Sequence, residues 1–179
     1  MLLGIFNYTG ISFTGAHAYR PARLEYTNQK NGGNDMNEQA ELALRLFLAF
    51  AVGILFGLER EKRHKPAGLR THALVCLGAA LFTIIGITGF PLANQEVTMV
   101  RNIDPARVAA QIVTGVGFIG GGIIFKEQDH IKGITTAASI WLTAGLGMGL
   151  GAGLYLLSGV AAILGLTGLK LDRLLQEKA

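Results

Sequence analysis

Between Ile134 and Leu169 the chain has no charged side chain. As one α-helix, at about 1.5 Å per residue, that stretch would run roughly 54 Å, well beyond a bilayer core of about 30 Å. It must fold back on itself, and Gly149-Leu150-Gly151-Ala152-Gly153 is the expected turn. Three earlier runs also have spanning length. They are Leu42–Leu58, interrupted only by Arg45, then His72–Gly89, followed by Pro91, then Ala106–Phe125, with Arg107 at its start. A spanning helix needs about 17–25 residues. Buried helices of a soluble bundle would keep a polar face, and these runs show little of one. The chain reads as all-α, a polytopic membrane protein built as a compact bundle of five transmembrane helices.

Composition agrees. Charged residues make up 16% of the 179 residues and hydrophobic ones 50%, against about 25% charged in an ordinary soluble domain. One cysteine, Cys76, excludes an intrachain disulfide framework. Residues 1–41 differ from the rest. Asn28-Gln29-Lys30-Asn31-Gly32-Gly33-Asn34-Asp35 is polar and without period, which predicts a disordered N-terminal tail. Its opening residues have neither a basic start nor a long apolar core, so no cleaved signal peptide is expected. Met36 stands just before the first apolar run and is read as an alternative start. The domain plan is a tail over 1–41, a membrane domain over 42–171 and a short cytoplasmic tail over 172–179.

Orientation follows from lysine and arginine placement. Arg60, Lys62, Arg63, Lys65 and Arg70 follow the first run, Lys126 and Lys132 the third, and Lys170, Arg173 and Lys178 the last. With five spans all of these share one side. Arg101 and Arg107, with Arg20, Arg23 and Lys30 of the tail, lie opposite. The N-terminus is therefore expected outside and the C-terminus in the cytoplasm. The net charge of +4 records this topology, and no nucleic-acid partner is expected.

Glycine numbers 25, roughly twice the usual share. Gly53 and Gly57 are four apart in the first run, Gly117 and Gly121 in the third, and Gly145, Gly149 and Gly153 in the fourth, with Ala161 and Gly165 in the fifth. Small residues at that spacing share a helix face and let backbones approach closely in lipid, so these positions are expected to pack helices. Gly115-Val116-Gly117-Phe118-Ile119-Gly120 spells a dinucleotide fingerprint, but it lies inside an apolar run. No acid stands some twenty residues on, where ribose recognition needs one.

Polar groups inside a membrane bundle are costly and mark functional candidates. At the inner end these are Glu59, Arg60, Glu61, Arg70 and His72, with Thr135 and Thr136 opening the fourth run. Two readings of Glu59 and Arg70 stand: an inter-helix ion pair, or anchors solvated by headgroups. At the outer end Asp104-Pro105 has the form of an N-cap and first helical residue. Arg107 and Gln111 follow at i and i+4, and Arg45 of the first run lies at similar depth. Asp104 either neutralises Arg107 or Arg45, or is a cap only while Arg45 snorkels outward. Thr135, Ser139 and Thr143 form a stripe expected to bond between helices. Trp141 is too deep for an interfacial belt and is expected to pack inside the bundle. No carboxylate lies within the second to fifth runs, no H-E-x-x-H pair is present, and Cys76 is read as packing. No metal site, cofactor or catalytic residue is expected.

Three sets of motifs resemble the MgtC/SapB family of bacterial inner-membrane proteins. Gly57-Leu58-Glu59-Arg60-Glu61 and Ala67-Gly68-Leu69-Arg70-Thr71-His72 are similar to the family's first two helices. The run from Asp104-Pro105-Ala106-Arg107 through Gln111 to Gly120-Gly121-Gly122 is similar to its third. Lys132-Gly133-Ile134-Thr135-Thr136-Ala137-Ala138-Ser139-Ile140-Trp141 is similar to its fourth. The resemblance covers about residues 42–170. It implies a five-helix domain with a cytoplasmic C-terminus and a link to growth under low magnesium. It also implies a role as a modulator of other membrane machines, including the rotary ATP synthase, rather than a magnesium pump. Many virulence-type members add a soluble C-terminal domain, whereas this sequence ends at Ala179, so their virulence role is not carried over.

Two functional classes follow. One is a non-enzymatic regulator that sits in the bilayer and packs its glycine-rich faces against other membrane proteins or its own copies. The other is a small transporter or channel, for Mg2+ or another ion, with Arg45, Arg107 and Gln111 outside and Glu59, Arg70 and Thr136 inside.

Overall fold

In the computed structural model, residues 34–89 and 104–176 are described, with side chains from 36 to 88 and from 104 to 171. The tail before Asn34, with Arg20, Arg23 and Lys30, lies outside the described residues. So do Pro91, Arg101 and Lys178, and the side chain of Arg173.

Five α-helices follow one another: α1 (Asn34–Lys62), α2 (Leu69–Ile84), α3 (Pro105–Ile123), α4 (Ile134–Gly151) and α5 (Tyr155–Gln176). A π-helical turn, Ile85–Gly89, prolongs α2. Four stretches are long and apolar enough to cross a membrane: Met36–Lys62, Leu69–Thr88, Pro105–Ile123 and Ile134–Gly151. The apolar stretch of α5, Tyr155–Leu171, is shorter. Five helices thus match the expected number, and four of them have spanning length. α1 starts before its apolar run, through Asn34, so residues 34–41 are helical and not part of an irregular tail. Glu38, Ala40 and Glu41 favour helix there, and Glu41 pairs with Arg45 one turn on.

Helix ends are set by local chemistry. The Asp104 carboxylate accepts the Ala106 N–H at 2.9 Å, with Pro105 as first helical residue. α1 stops at a pair of crossed bonds, Lys65 N–H to the Arg60 carbonyl (3.1 Å) and His64 N–H to the Glu61 carbonyl (2.9 Å). This is a Schellman turn, with His64 at φ +52° in the left-handed position that glycine prefers. Replacing His64 by glycine is expected to raise unfolding stability by about 0.5–1 kcal/mol, read as a shift in the denaturant midpoint of the purified protein. α4 ends in the same way. Gly153 (φ +79°) gives its N–H to the Leu150 carbonyl at 3.0 Å, and Leu154 N–H reaches the Gly149 carbonyl at 2.8 Å. The reversal expected over 149–153 is thus made at its last residues.

The link between α3 and α4 is a β-hairpin. Strands β1 (Phe125–Glu127) and β2 (His130–Lys132) are antiparallel, with Phe125 opposite Lys132 and Glu127 opposite His130. Lys132 pairs with Glu127. At the hairpin's base Gly133 sits at φ +93°, where an added Cβ would stand 2.2 Å from the Ile123 carbonyl oxygen.

α4 is the central helix and packs on the other four. Phe56, Cys76, Ala80, Leu146 and Leu150 meet between α1, α2 and α4, and α5 adds Ala161, Ala162, Leu166 and Leu169 around them. A second cluster of Ala67, Ala79, Val116, Ile140 and Ala144 holds α3 to α4. α3 stands off from α2, leaving an apolar groove of about 430 Å³ lined by Leu74, Gly78, Phe82, Ile112, Gly115 and Ile119.

Candidate functional site

Where the end of α1 meets the starts of α2 and α4, the end expected from sequence to be the inner one, a polar cluster is closed within the apolar bundle. Arg60, the second-last basic residue of α1, is 2% exposed. Its guanidinium donates to Thr136 Oγ1 on the first turn of α4, at 2.8 Å. His72, on the first turn of α2, is fully buried. Its Nδ1 lies 2.9 Å from the Gly68 carbonyl; a carbonyl only accepts, so Nδ1 carries the proton. Its Nε2 is 3.0 Å from Ser139 Oγ on α4. Ser139 Oγ in turn lies 2.8 Å from the Thr136 carbonyl. Two lateral bonds therefore tie α4 to its neighbours: guanidinium to threonine from α1, imidazole to serine from α2.

The carboxylates around this cluster belong to α1. Glu59 pairs with Arg63 on the next turn, and its other oxygen is 3.8 Å from the Arg60 guanidinium. Glu61 Oε2 accepts the Leu69 N–H at 2.9 Å, so a side chain of α1 satisfies one of the open donors at the start of α2. The Glu59–Arg70 pair does not form. Glu59 is engaged on its own helix, and Arg70 is exposed without an ion pair among the described residues. Thr135 is also exposed; Thr136 takes the inter-helix role. Ser139 bonds to α2 as the polar stripe suggests, whereas Thr143 donates back to its own helix at the Ser139 carbonyl.

At the outer end the expected constellation does not gather. Asp104 is a cap, while Arg107 and Gln111 are exposed on α3. Arg45 instead reaches the end of α4, donating to the Gly151 carbonyl at 3.0 Å while pairing with Glu41. A cation on the last carbonyls of a helix is favourable for both bonding and dipole reasons. Gly153 leaves the room: an added Cβ would lie 3.2 Å from the guanidinium carbon.

The glycines divide sharply. A Cβ on Gly53 would stand 2.6 Å from the His72 carbonyl oxygen, and one on Gly57 would stand 2.4 Å from Leu69 Cα, so both hold α1 against α2. A Cβ added to Gly149 would stand 2.4 Å from Ser158 Oγ of α5. At Gly117, Gly121 and Gly145 an added Cβ would meet nothing within 4 Å among the described residues, so they do not pack the described helices together. Their work is done by neighbours: Gly120 against Ala137, Gly147 against the Cys76 carbonyl and Gly151 against the Ala80 carbonyl, while Gly165 packs as expected, against Phe56 and Leu142. Trp141 is likewise turned outward, 54% exposed, in a stripe with Ile134, Ala138 and Gly145. The buried face of α4 runs instead through Thr136, Ile140, Thr143, Gly147 and Leu150.

The profile of the MgtC family matches residues 46–178. The chain belongs to the MgtC family. Over 118 residues it is 49% identical to the protein named putative magnesium transporter YhiD of Escherichia coli K12, covering 65% of this chain and 53% of that one. Over 124 residues it is 44% identical to protein MgtC of Brucella abortus strain 2308, covering 69% and 48%. An uncharacterized protein of Haemophilus influenzae is 38% identical over 134 residues, covering 74% and 56%. The chain spans about half the length of the curated relatives it matches. No solved structure matches it.

In this MgtC-family chain the inner cluster lies on the very segments that carried the resemblance, Glu59-Arg60-Glu61, Gly68-Leu69-Arg70-Thr71-His72 and Thr135-Thr136 through Ser139. The structure assigns most of them a shared task in binding three helices together. Among the described residues no three His, Cys, Asp or Glu side chains are grouped to hold a metal ion. The Arg45 clamp on α4 was missed from sequence, although Glu41 at i−4 signals that Arg45 is held on its own helix face.

Proposed function

We propose that this MgtC-family chain is an integral protein of the bacterial inner membrane, with its N-terminus outside and its C-terminus in the cytoplasm. It acts there as a non-enzymatic modulator of other membrane proteins under magnesium limitation. The topology is supported by the cations at the ends of the helices. Lys62, Lys65, Arg70, Lys126, Lys132 and Lys170 lie at the end where Arg60 meets Thr136, as cytoplasmic positions require. The observation that carries the regulator reading is the inner cluster. Arg60, Thr136, His72 and Ser139 are bonded to one another across α1, α2 and α4, so these polar groups are committed to holding the bundle. The open glycines of α3 leave a face for a partner.

A second reading is favoured by the name of the E. coli relative, a putative magnesium transporter. In that reading Glu59, Arg70 and Thr136 would serve the inner mouth of a path. Purified protein reconstituted in liposomes loaded with a magnesium indicator separates the two. We expect no Mg2+ uptake above protein-free vesicles. In cell membranes we expect another membrane protein to co-purify with the chain. Saturable uptake abolished by Glu59→Gln would overturn the regulator reading.

A further inference from the structure

Of the four stretches of spanning length, α3 is the least covered by its own subunit. Only Val116 and Gly120 are buried, and Phe118 is 86% exposed. The uncovered surface is not uniformly apolar, as a face meant for lipid would be. Arg107, Gln111 and Thr114 lie along it. Gln111 makes no hydrogen bond among the described residues, and Arg107 makes no ion pair there. An amide inside a lipid-facing span forfeits its bonds unless another helix supplies them. Beside it runs a second series, Arg107, Ala110, Thr114, Gly117 and Gly121, at steps of 3, 4, 3 and 4 residues. That is the spacing of the seam between two helices crossing at a shallow angle. At Gly117 and Gly121 no atom of the described residues approaches within 4 Å of an added Cβ.

We propose that this face of α3 is the contact between two copies of the chain, related by a two-fold axis along the membrane normal. A second copy is the occupant because the face complements itself. Copies inserted with the same orientation bring their α3 helices together in parallel, so each residue meets its equivalent at the same depth. Gln111 carries both donors and an acceptor, so two symmetry-related amides satisfy each other. Asp104 and Arg107 are opposite charges one turn apart at the outer end, both exposed. A two-fold interface pairs i with j and j with i, so Asp104 of each copy meets Arg107 of the other, twice. Further down the seam, Gly117 and Gly121 let the backbones close. A lipid tail offers neither the amide nor the charges a partner. This inference rests on the membrane reading above.

The test is disulfide cross-linking of the full chain in cell membranes at low expression, with Cys76 left in place because it is buried. Single cysteines at Ala110, Thr114, Gly117 and Gly121 are expected to give an adduct of twice the subunit mass, about tenfold more than cysteines at Ile112 or Ile119 on the groove side. Gly121→Leu is expected to cut the adduct from Thr114→Cys about tenfold without changing the subunit's thermal stability. Asp104→Asn keeps the capping oxygen but not the charge, and should weaken the adduct while α3 stays helical. Equal yields along α3, no adduct, or adducts with a different protein would overturn the proposal. Carbonate extraction run alongside separates the two levels. A chain washed off the membrane defeats the membrane reading as well, whereas a retained chain without periodic cross-links defeats the dimer alone.

Discussion

Gly147→Ala is expected to destabilise the bundle by about 3 kcal/mol, whereas Gly145→Ala, two residues away on the same helix, is expected to be neutral or stabilising by up to about 1 kcal/mol. The difference lies in what each Cβ would meet. At Gly147 it would stand 2.2 Å from the Cys76 carbonyl oxygen and 3.0 Å from Ala79 Cβ. That oxygen is backbone inside α2, so it cannot swing aside, and α2 and α4 must separate. At Gly145 there is open space, and alanine gains only its helix propensity. Denaturant titration of the two variants in detergent micelles should separate their midpoints widely. Equal midpoints would show that α2 and α4 do not approach as closely as described.

Arg60→Ala should be the most damaging single change in the inner cluster, at about 3–5 kcal/mol. The guanidinium is 2% exposed and bridges from α1 to Thr136. Its removal leaves a cavity at the helix junction, a threonine without its donor, and the Glu59 carboxylate with one compensating cation fewer. Thr136→Val removes one acceptor while keeping shape, and should cost about 1–3 kcal/mol. The Arg60→Ala, Thr136→Val double variant should cost less than the sum, because both changes remove the same bond. Full additivity in the same titration would mean that the two residues contribute independently.

These residues also show how far the sequence could be read. Uncharged runs and glycine spacing were enough for five helices, for the reversal at 149–153 and for Asp104 as a cap, because each follows from local chemistry. Which side of a helix faces inward was harder. The fourth run has glycine at 145, 147, 149, 151 and 153, two interleaved series of four-residue spacing. Packing against α2 selects 147 and 151, and nothing local distinguishes them from 145. The same rotation carries Trp141 outward, since depth along a helix says nothing about azimuth. The hairpin was illegible for a different reason. Its turn, Gln128-Asp129, has no glycine, and Gln128 takes φ +53° regardless. For the inner cluster, the residue types were legible and their partners were not. Glu59 and Arg70 are complementary by charge, yet Arg63, in the turn just after the same helix, reaches Glu59 without any cost of bringing two helices into register.

The hairpin has a mechanical consequence. Its closed base, with Gly133 against the Ile123 carbonyl, pins the C-terminal end of α3 to the start of α4. Along its length α3 has the groove on one flank and open glycines on another. α3 is thus a lever with its fulcrum at the hairpin. Over 19 residues, about 28 Å of helix, a tilt of about 10° at the fulcrum moves the far end by roughly 5 Å. Whatever grips Arg107 and Gln111 therefore has its purchase where the lever arm is longest.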